Sequence, residues 1–266
     1  MSKGVLIFAQ VGDFDYITLA EVAASRVKHY LNLPVSIVTN INYQNKSNLF
    51  DKVINKASTL TQKRTLYDGQ VSNIIEWINF DRSDCYDLSP YDETIVIDAD
   101  YLISSDHLLT CFDFNKDFLI FNDHFYLYEN AYANEFEFVN DNGINFYWAT
   151  VFYFKKTTYT KVFFNFIRYI RDNWEYFSLL YNIKERKFRN DFAFSIAINT
   201  LTLQIPSKFF GFIPGKLFYI IDKDTLLTVQ SDELVFYILN SNSCAKTKGM
   251  DIHVMNKDSI LRCLND

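Results

Sequence analysis

The sequence predicts an α/β fold in which helices flank a central, mostly parallel sheet. Short apolar runs, typical of strands buried on both faces, alternate with segments of helical periodicity. The first 40 residues also read as a strand, a helix and a second strand. The 266 residues contain no internal repeat, no low-complexity linker and no Pro/Gly-rich boundary, so a single domain is the simplest prediction.

The N-terminal unit is the clearest part of this pattern. The run VLIFAQ (Val5–Gln10) predicts a buried strand, and residues 33–40 predict another. Between them, apolar residues recur at helical spacing on one stripe: Ile17, Ala20, Ala24, Val27 and Leu31. A strand–helix–strand unit of this length predicts two parallel strands joined by a right-handed crossover.

The remaining elements are predicted from the same two periodicities. Helices are expected at 65–80, 159–182 and 191–201, and a last helix at the end of the chain. Strands are expected at 93–98, 117–123, 145–156 and 218–221, and a short one just before the last helix. Residues 208–217, which contain Pro214 and Gly215, are expected to form a loop.

Composition narrows the class of protein. A hydrophobic fraction of 49% is enough to form a sizeable core. The net charge of -6 argues against a broad nucleic-acid-binding face but is compatible with local basic patches. The high numbers of Phe (26) and Tyr (18) reflect either the base composition of an AT-rich genome or the use of some of these rings to stack on sugars. Four scattered cysteines without CxxC spacing predict neither disulfides nor a zinc site. With no signal peptide and no apolar span, we expect a cytoplasmic protein.

The segment PYDETIVIDADYLIS, residues 90–104, ends an apolar strand in two acids, Asp98 and Asp100. Two carboxylates this close repel by about 3 kcal/mol at an effective dielectric of about 20, so a cation is expected beside them. At the carboxyl end of a parallel strand the pair would face the ligand crevice, where Mg²⁺ or Mn²⁺ could hold a diphosphate. The alternative is a pair that caps the next helix.

This segment resembles the D-x-D segment of GT-A-type nucleotide-sugar glycosyltransferases. The tail DIHVMNK (251–257) is similar to the H-x-x-G-x-x-K ending of glycosyltransferase family 8, although Asn256 replaces the glycine and Lys257 follows His253 by four residues rather than six. The overall plan resembles small bacteriophage-encoded glycosyltransferases. The resemblance implies a GT-A-like, Rossmann-type single domain with a nucleotide-binding half (about 1–105) and an acceptor half (about 106–266).

The resemblance also implies a site. Asp98, Asp100 and His253 would bind Mn²⁺ or Mg²⁺, and Lys257 would stabilise the leaving diphosphate. The donor, expected to be a UDP-sugar, would contact the ends of the first strands, the D-x-D segment, a cation ahead of it and a tryptophan: Ala9, Gln10, Gly12, Asp13, Asn40, Arg64, Asp98 and Trp148. The alternative for His253 is a histidine buried in the core without a metal. The alternative for Trp148 is packing in the core rather than stacking on a sugar.

Asp191 begins the predicted helix at 191–201. The resemblance implies that it faces the donor sugar or the acceptor hydroxyl and, in an inverting enzyme, acts as the general base. The alternative is a helix N-cap. Four cations precede it, namely Lys184, Arg186, Lys187 and Arg189, and they form either a solvated surface or a contact with acceptor phosphates.

The predicted function is metal-dependent transfer of a sugar from a nucleotide-diphosphate donor to a hydroxyl. The acceptor could be a hydroxymethylated base in phage DNA, a glycan, a protein or a small molecule, and no membrane partner is expected. A sugar nucleotidyltransferase is the first alternative, although AQVGDFD lacks its Gly-rich, Arg-containing phosphate loop. The second is a non-catalytic carbohydrate-binding module of the same fold.

Overall fold

The protein is described from a computed structural model. The structure describes residues 1–45, 48–58, 60–67, 71–78, 80–128, 137–140, 143–184, 187–202 and 208–264. Within them, helices flank a nine-stranded sheet, and five of its eight strand pairs are parallel. The predicted α/β class with a central, mostly parallel sheet is confirmed. None of the helices in these ranges is long and apolar enough to cross a bilayer.

Strands and helices are numbered along the chain. The large sheet runs, edge to edge, through β3 (Lys52–Asn55), β2 (Val35–Thr39), β1 (Lys3–Phe8), β6 (Glu93–Asp98), β9 (Val151–Lys155), β8 (Phe118–Tyr126), β10 (Phe210–Ile220), β14 (Ile252–Val254) and β7 (Tyr101–Leu102). Two small antiparallel sheets are a hairpin of β4 (Gln62–Tyr67) and β5 (Ser72–Trp77), and a meander of β11 (Thr225–Gln230), β12 (Glu233–Ile238) and β13 (Ser243–Lys248).

The helices are α1 (Tyr16–Tyr30), α2 (Cys85–Leu88), α3 (Thr158–Asp172), α4 (Trp174–Leu180), α5 (Asn190–Leu201) and α6 (Lys257–Arg262). Two 3₁₀ segments, Asp81–Asp84 and His107–Asp113, precede β6 and β8.

The predicted N-terminal unit is confirmed. β1 and β2 pair in parallel, and α1 connects them. The Asp15 side chain accepts hydrogen bonds from the backbone N–H groups of Ile17 and Thr18, which satisfies two of the free donors that begin a helix. The central part of the predicted apolar stripe, Ala20 to Val27, is buried against the sheet. This packing fixes the loop after β1 at one end of the sheet.

The prediction of a helix at 65–80 was wrong, because this region contributes to the β4–β5 hairpin. From Gln62 to Leu66 the side chains alternate between exposed and more buried positions, which is the period of a strand. β5 adds Ile74, Ile75 and Trp77, which favour strands over helices. The period of two in β4 was the signal that the sequence prediction missed.

Three other predicted elements differ in extent. The strand predicted at 145–156 comprises only Val151–Lys155. The helix predicted at 159–182 is two helices, because the backbone of Asn173 leaves the helical conformation with φ -118° and ψ 33°. The loop predicted at 208–217 is mostly strand, because β10 continues past Pro214 and Gly215 by a register shift between Ile213 and Lys216. Such an irregularity is where a sheet tolerates proline.

Much of the aromatic content lies in the core. Fully buried rings of the central strands and of α3 and α5 contact one another: Phe118, Phe152, Phe163, Phe164 and Phe194. This packing holds β8 and β9 against the helices behind them and leaves the carboxyl ends of β1 and β6 open at one edge. The four cysteines are free thiols.

Candidate active site

The path of the chain after β6 brings the two predicted aspartates to different neighbours. Asp98 ends β6 beside Phe8, the last residue of β1. The chain forms β7 three residues later, and there Tyr101 lies opposite His253 of β14. The backbone N–H of Val254 donates to the Asp100 carbonyl over 3.0 Å. Asp100 is therefore held beside β14.

Asp98, Asp100 and His253 form one cluster. One ligand atom from each lies within 4.8 Å of the other two, and His253 Nε2 is 3.4 Å from Asp100 Oδ1. Ligands about 2.1 Å from a shared ion lie at most about 4.2 Å apart, so a small adjustment of these side chains would place the three atoms around one ion. Two carboxylates with an imidazole suit Mn²⁺ or Mg²⁺. The residues thus fit a divalent ion. Asp100 does not cap a helix, because β7 follows it directly.

Two buried cations face these aspartates. Lys257 Nζ is 2.6 Å from Asp100 Oδ2, and the guanidinium of Arg82 forms an ion pair with Asp98. Burial by itself would raise the pKa of Asp100, but Lys257 and His253 outweigh burial and hold that pKa well below its usual range. Burial lowers the pKa of Lys257 against the opposing effect of Asp100. The charges of the two aspartates are therefore balanced by the buried cations beside them.

Arg82 was not predicted from the sequence. It belongs to the 3₁₀ segment Asp81–Asp84, is 7% exposed, and donates to the carbonyl of Ala149. Burial lowers its pKa, and Asp191 is the strongest charge acting in the opposite direction. An arginine between acids in DRSD, shortly before the D-x-D strand, was the available signal.

The 3₁₀ segment that carries Arg82 is anchored by surrounding cations. Lys56 lies 3.3 Å from Asp81 and also contacts Asp84, and Arg168 and Arg171 lie 3.4 and 3.5 Å from Asp84. Paired carboxylates at both ends of a four-residue segment leave it little freedom. Arg82 is consequently positioned by a network that does not itself line the site.

Asp191 lies in the first turn of α5, and the N-cap is Arg189. The alternative of an N-cap at Asp191 is therefore wrong. Its Oδ1 accepts from the backbone N–H of Ala149 over 2.9 Å, and its Oδ2 accepts from Arg189 over 2.8 Å. A carboxylate at a helix N-terminus is stabilised by the helix dipole. Asp191 is thus held as a charged acceptor beside the other acids.

These groups line one cavity of about 410 Å³. The β4–β5 hairpin covers it on one side, and the segment before α5 bounds it on the other, with Gln62 Nε2 donating to the Phe188 carbonyl over 2.9 Å. The guanidinium of Arg64 stacks over Trp77, 4.7 Å from the ring centroid. The cavity therefore combines an acid pair, several cations and an aromatic wall.

The structure brings most of the predicted site residues into this cavity. Eight of them line it: Gln10, Arg64, Asp98, Asp100, Trp148, Asp191, His253 and Lys257. The Gln10 side chain donates to Asp81, so it also braces the segment that carries Arg82. Trp148 is 5% exposed and packs 4.9 Å from Tyr219 and 5.8 Å from His253 between ring centroids.

Four predicted donor-binding residues do not line the cavity: Ala9, Gly12, Asp13 and Asn40. Asn40 is bonded to the backbone N–H and carbonyl of Val11, over 2.7 and 2.9 Å. Asp13 accepts from the Glu76 N–H over 2.7 Å. In this structure these contacts fix the loop after β1 against the hairpin, and donor binding by these residues stays a prediction.

Of the four predicted basic residues before α5, Lys187 is exposed and lines the cavity, and Arg189 also lines it but is paired with Asp191. Lys184 is exposed and does not line the cavity, and Arg186 lies outside the described residues. The basic run is therefore divided between the mouth of the cavity and the outer surface.

Comparison with known proteins gives structural similarity at low identity. No protein-family model and no curated protein matches the sequence. The apo form of the glycosyltransferase GlyE of Streptococcus pneumoniae TIGR4 is 11% identical, with a TM-score of 0.47 over 75% of this chain and 44% of that chain. A second GlyE structure is 13% identical, with a TM-score of 0.45 over 80% and 46%. This chain spans less than half the length of that protein, and these values assign neither a family nor an activity.

Proposed function

We propose that this protein is a metal-dependent glycosyltransferase of GT-A-like fold, which moves a sugar from a nucleotide-diphosphate donor to a hydroxyl. One observation carries the proposal: Asp98 and Asp100, at the end of a central strand, meet His253 within 4.8 Å inside a cavity. A strand-delivered acid pair with a third ligand can hold a divalent ion and, through it, a diphosphate. The first half of the chain, about 1–105, would bind the nucleotide, and the second half the sugar and acceptor.

Asp98, Asp100 and His253 would hold Mn²⁺ or Mg²⁺. The ion, when bound, would supply Lewis-acid stabilisation of the leaving diphosphate. Arg82 pairs with Oδ1 of Asp98 and Lys257 with Oδ2 of Asp100, and Asp100 Oδ1 lies 3.4 Å from His253 Nε2. An oxygen of Asp100 and a ring nitrogen of His253 are therefore close enough to serve one ion after a small adjustment.

Lys257 and Arg82 would stabilise negative charge on the donor. Both are buried cations that line the cavity, and fixed charges in a site shielded from water act strongly on charge that develops during a reaction. Gln10, Arg64 and Trp148 line the remaining wall and would contact the donor, which we expect to be a UDP-sugar. Ala9, Gly12, Asp13 and Asn40 would contribute through the loop that they hold.

Asp191 would contact the transferred sugar or the acceptor hydroxyl. It lines the same cavity, and Arg189 and the Ala149 N–H fix its two oxygens. In an inverting reaction Asp191 would accept the proton of the attacking hydroxyl. A carboxylate has about four lone-pair sites, so Asp191 could accept this proton while Arg189 and the Ala149 N–H stay bound.

The acceptor in this proposal is a hydroxyl-bearing molecule. A hydroxymethylated base in phage DNA, within the host cytoplasm, is one candidate, and glycans, proteins and small molecules are the others. The net charge of -6 opposes a long polyanionic acceptor, whereas cations at the cavity mouth favour local contact with a phosphate. No membrane partner is proposed.

Titration calorimetry with Mn²⁺ and a panel of UDP-sugars tests the proposal. We expect wild type to bind at least one donor only when Mn²⁺ is present, and Asp100→Asn to weaken that binding at least about tenfold. Asp106→Asn, a change of an exposed aspartate nearby, is the matched control and should bind as wild type does. Failure of wild type to bind any donor, or equal binding by Asp100→Asn, would contradict it.

The two alternatives give different results in the same preparation. A sugar nucleotidyltransferase would transfer the nucleotidyl group of a nucleoside triphosphate to a sugar phosphate and release pyrophosphate. A non-catalytic module would bind donor or sugar without hydrolysing the donor when no acceptor is present. Donor hydrolysis that depends on Asp100 supports the transferase.

A further inference from the structure

Two buried polar atoms of the cavity wall have no hydrogen-bond partner within the described chain. One is the hydroxyl oxygen of Tyr16, and the other is Nε of Arg82. Both residues line the cavity that also contains Asp98, Asp100 and His253. A buried donor without an acceptor costs free energy, so two of them in one cavity point to a ligand that supplies the acceptor.

The position of Tyr16 is fixed by its neighbours. It is the first residue of α1, directly after the Asp15 cap, and its ring packs edge-on against Phe14 with 5.1 Å between centroids. The indole N–H of Trp77 faces the phenolic oxygen without reaching hydrogen-bond geometry, and as a donor it could not accept the phenolic hydrogen. The hydroxyl is therefore a positioned donor with no acceptor among the described residues.

The charges around this hydroxyl indicate which kind of acceptor fits. Burial is the main cause of the raised pKa of Tyr16, and Arg64 is the strongest charge acting on it, followed by Asp100 and Arg82. The guanidinium of Arg64 lies over Trp77, 4.7 Å from the ring centroid. The Tyr16 hydroxyl thus lies within electrostatic range of two guanidinium groups of the cavity.

Arg64 has no acidic partner in the part of the chain that the structure describes. The three carboxylates that line the cavity pair with other cations: Asp98 with Arg82, Asp100 with Lys257 and Asp191 with Arg189. A neutral ligand at the Tyr16 hydroxyl would leave the charge of Arg64 without a counter-charge. A ligand oxygen that carries negative charge would serve both groups.

A phosphate oxygen meets these requirements better than a nucleobase carbonyl or a ribose hydroxyl. Hydrogen bonds to a charged acceptor are stronger than neutral ones, and guanidinium groups match phosphate geometry. A phosphate oxygen that accepts from Tyr16 would also lie in the field of Arg64 and Arg82, in a cavity largely shielded from water.

We propose that the Tyr16 hydroxyl, together with Arg64 and Arg82, binds an oxygen of the donor diphosphate. This inference rests on the proposed transferase function and adds a phosphate-binding residue that is not a ligand of the ion. Burial raises the pKa of Tyr16 to about 12, so the phenol stays protonated at neutral pH and donates to the phosphate. It does not transfer its proton in the reaction.

The test separates contact with the phosphates from contact with the nucleoside. Binding of uridine, UDP and inorganic pyrophosphate to wild type and to Tyr16→Phe is measured by calorimetry with Mg²⁺ present. We expect the variant to bind UDP and pyrophosphate about tenfold more weakly, the size of one hydrogen bond to a charged group, and to bind uridine as wild type does. The variant keeps the ring and loses no hydrogen bond within the described chain, so its urea midpoint at neutral pH should not fall.

The matched control is Tyr91→Phe, which removes a buried hydroxyl that is bonded to Ser36 over 2.7 Å and does not line the cavity. It should bind all three compounds as wild type does. Unchanged binding of both phosphates by Tyr16→Phe, or an equal loss in the control, would overturn the inference. A loss of uridine binding as large as the loss of UDP binding would also overturn it, because the hydroxyl would then contact the nucleoside.

Failure of this inference is distinguishable from failure of the proposed function. If a nucleotide-sugar binds and is hydrolysed but Tyr16→Phe binds both phosphates as wild type does, the transferase stands and the role of Tyr16 falls. If pyrophosphate binds through Tyr16 but no nucleotide-sugar binds, the phosphate site stands and the transferase falls.

Discussion

Lys257 Nζ lies 2.6 Å from Asp100 Oδ2, and the two side chains are only 5% and 7% exposed. A buried pair of this kind strongly resists the removal of one partner, because the other charge is left without compensation. The pair also joins β7 and α6, which are close in space although Asp100 and Lys257 are distant in sequence. It therefore links the candidate metal cluster to the stability of the C-terminal part of the fold.

A double-mutant cycle measures this link. We expect Asp100→Asn and Lys257→Met each to lower the free energy of unfolding by about 3 kcal/mol, and the double variant to lose less than the sum of the two. Urea unfolding in the presence of EDTA is the measurement. Lys246→Gln breaks an exposed pair with Glu233 and should lower the free energy of unfolding far less than either buried substitution. Strict additivity of the two buried substitutions would show that the pair is not coupled.

Arg82 should tolerate no other cation. Its guanidinium contacts both Asp98 and the Ala149 carbonyl, and the single ammonium of lysine cannot reproduce two separated contacts from a buried stem. We expect Arg82→Lys to lower stability by about 2 kcal/mol and to weaken donor binding as well. Urea unfolding and donor calorimetry check the two effects. A variant with the stability and donor affinity of wild type would contradict this role.

Gly12 should be sensitive to the smallest side chain. A Cβ at this position would lie 2.7 Å from the Glu76 carbonyl oxygen, so the loop after β1 or the hairpin must move. We expect Gly12→Ala to cost about 2 kcal/mol by urea unfolding. Gly211→Ala is the matched control, because its Cβ would meet only side-chain atoms of Leu119 and Lys116 at 3.0 Å or more, and it should cost less. A larger loss of stability for Gly211→Ala than for Gly12→Ala would show that the hairpin moves at little energetic cost.

Tyr16, which lines the cavity, gives a prediction for alkaline pH. Burial raises the pKa of Tyr16 to about 12 from an ordinary value of 10.0. Between these values the unfolded chain loses the phenolic proton while the folded protein retains it, so stability falls as pH rises through this range. Tyr16→Phe should show a shallower decline in the urea midpoint over the same pH range. Equal slopes for the two proteins would contradict a raised pKa.

The sequence predicted the central sheet and the acid pair because both depend on local patterns. The run before Asp98 identifies a buried strand wherever it lies in the sheet, and a period of 3.6 identifies α1. His253 was predicted from a resemblance in the tail, and the antiparallel pairing of β7 with β14 places it beside Asp100. The donor-binding and catalytic roles of these residues remain predictions.

Other features depend on contacts between distant segments, and local patterns do not reveal them. Arg82 lines the site because Lys56, Arg168 and Arg171 hold the acids around it, and these residues come from separate parts of the chain. The hairpin was predicted as a helix, although its period of two was present between Gln62 and Leu66. The meander of β11–β13 lies between the strand predicted at 218–221 and the one predicted before the last helix, where no element was predicted.

The pairing of β7 with β14 has a consequence for biosynthesis. Asp98 and Asp100 leave the ribosome long before His253 and Lys257, and β7 finds its partner only when β14 has been translated. A nascent chain that ends before β14 can assemble the first strands and still lack half of the cluster. Ion-dependent chemistry in this protein would therefore begin only after β14 and Lys257 have been translated.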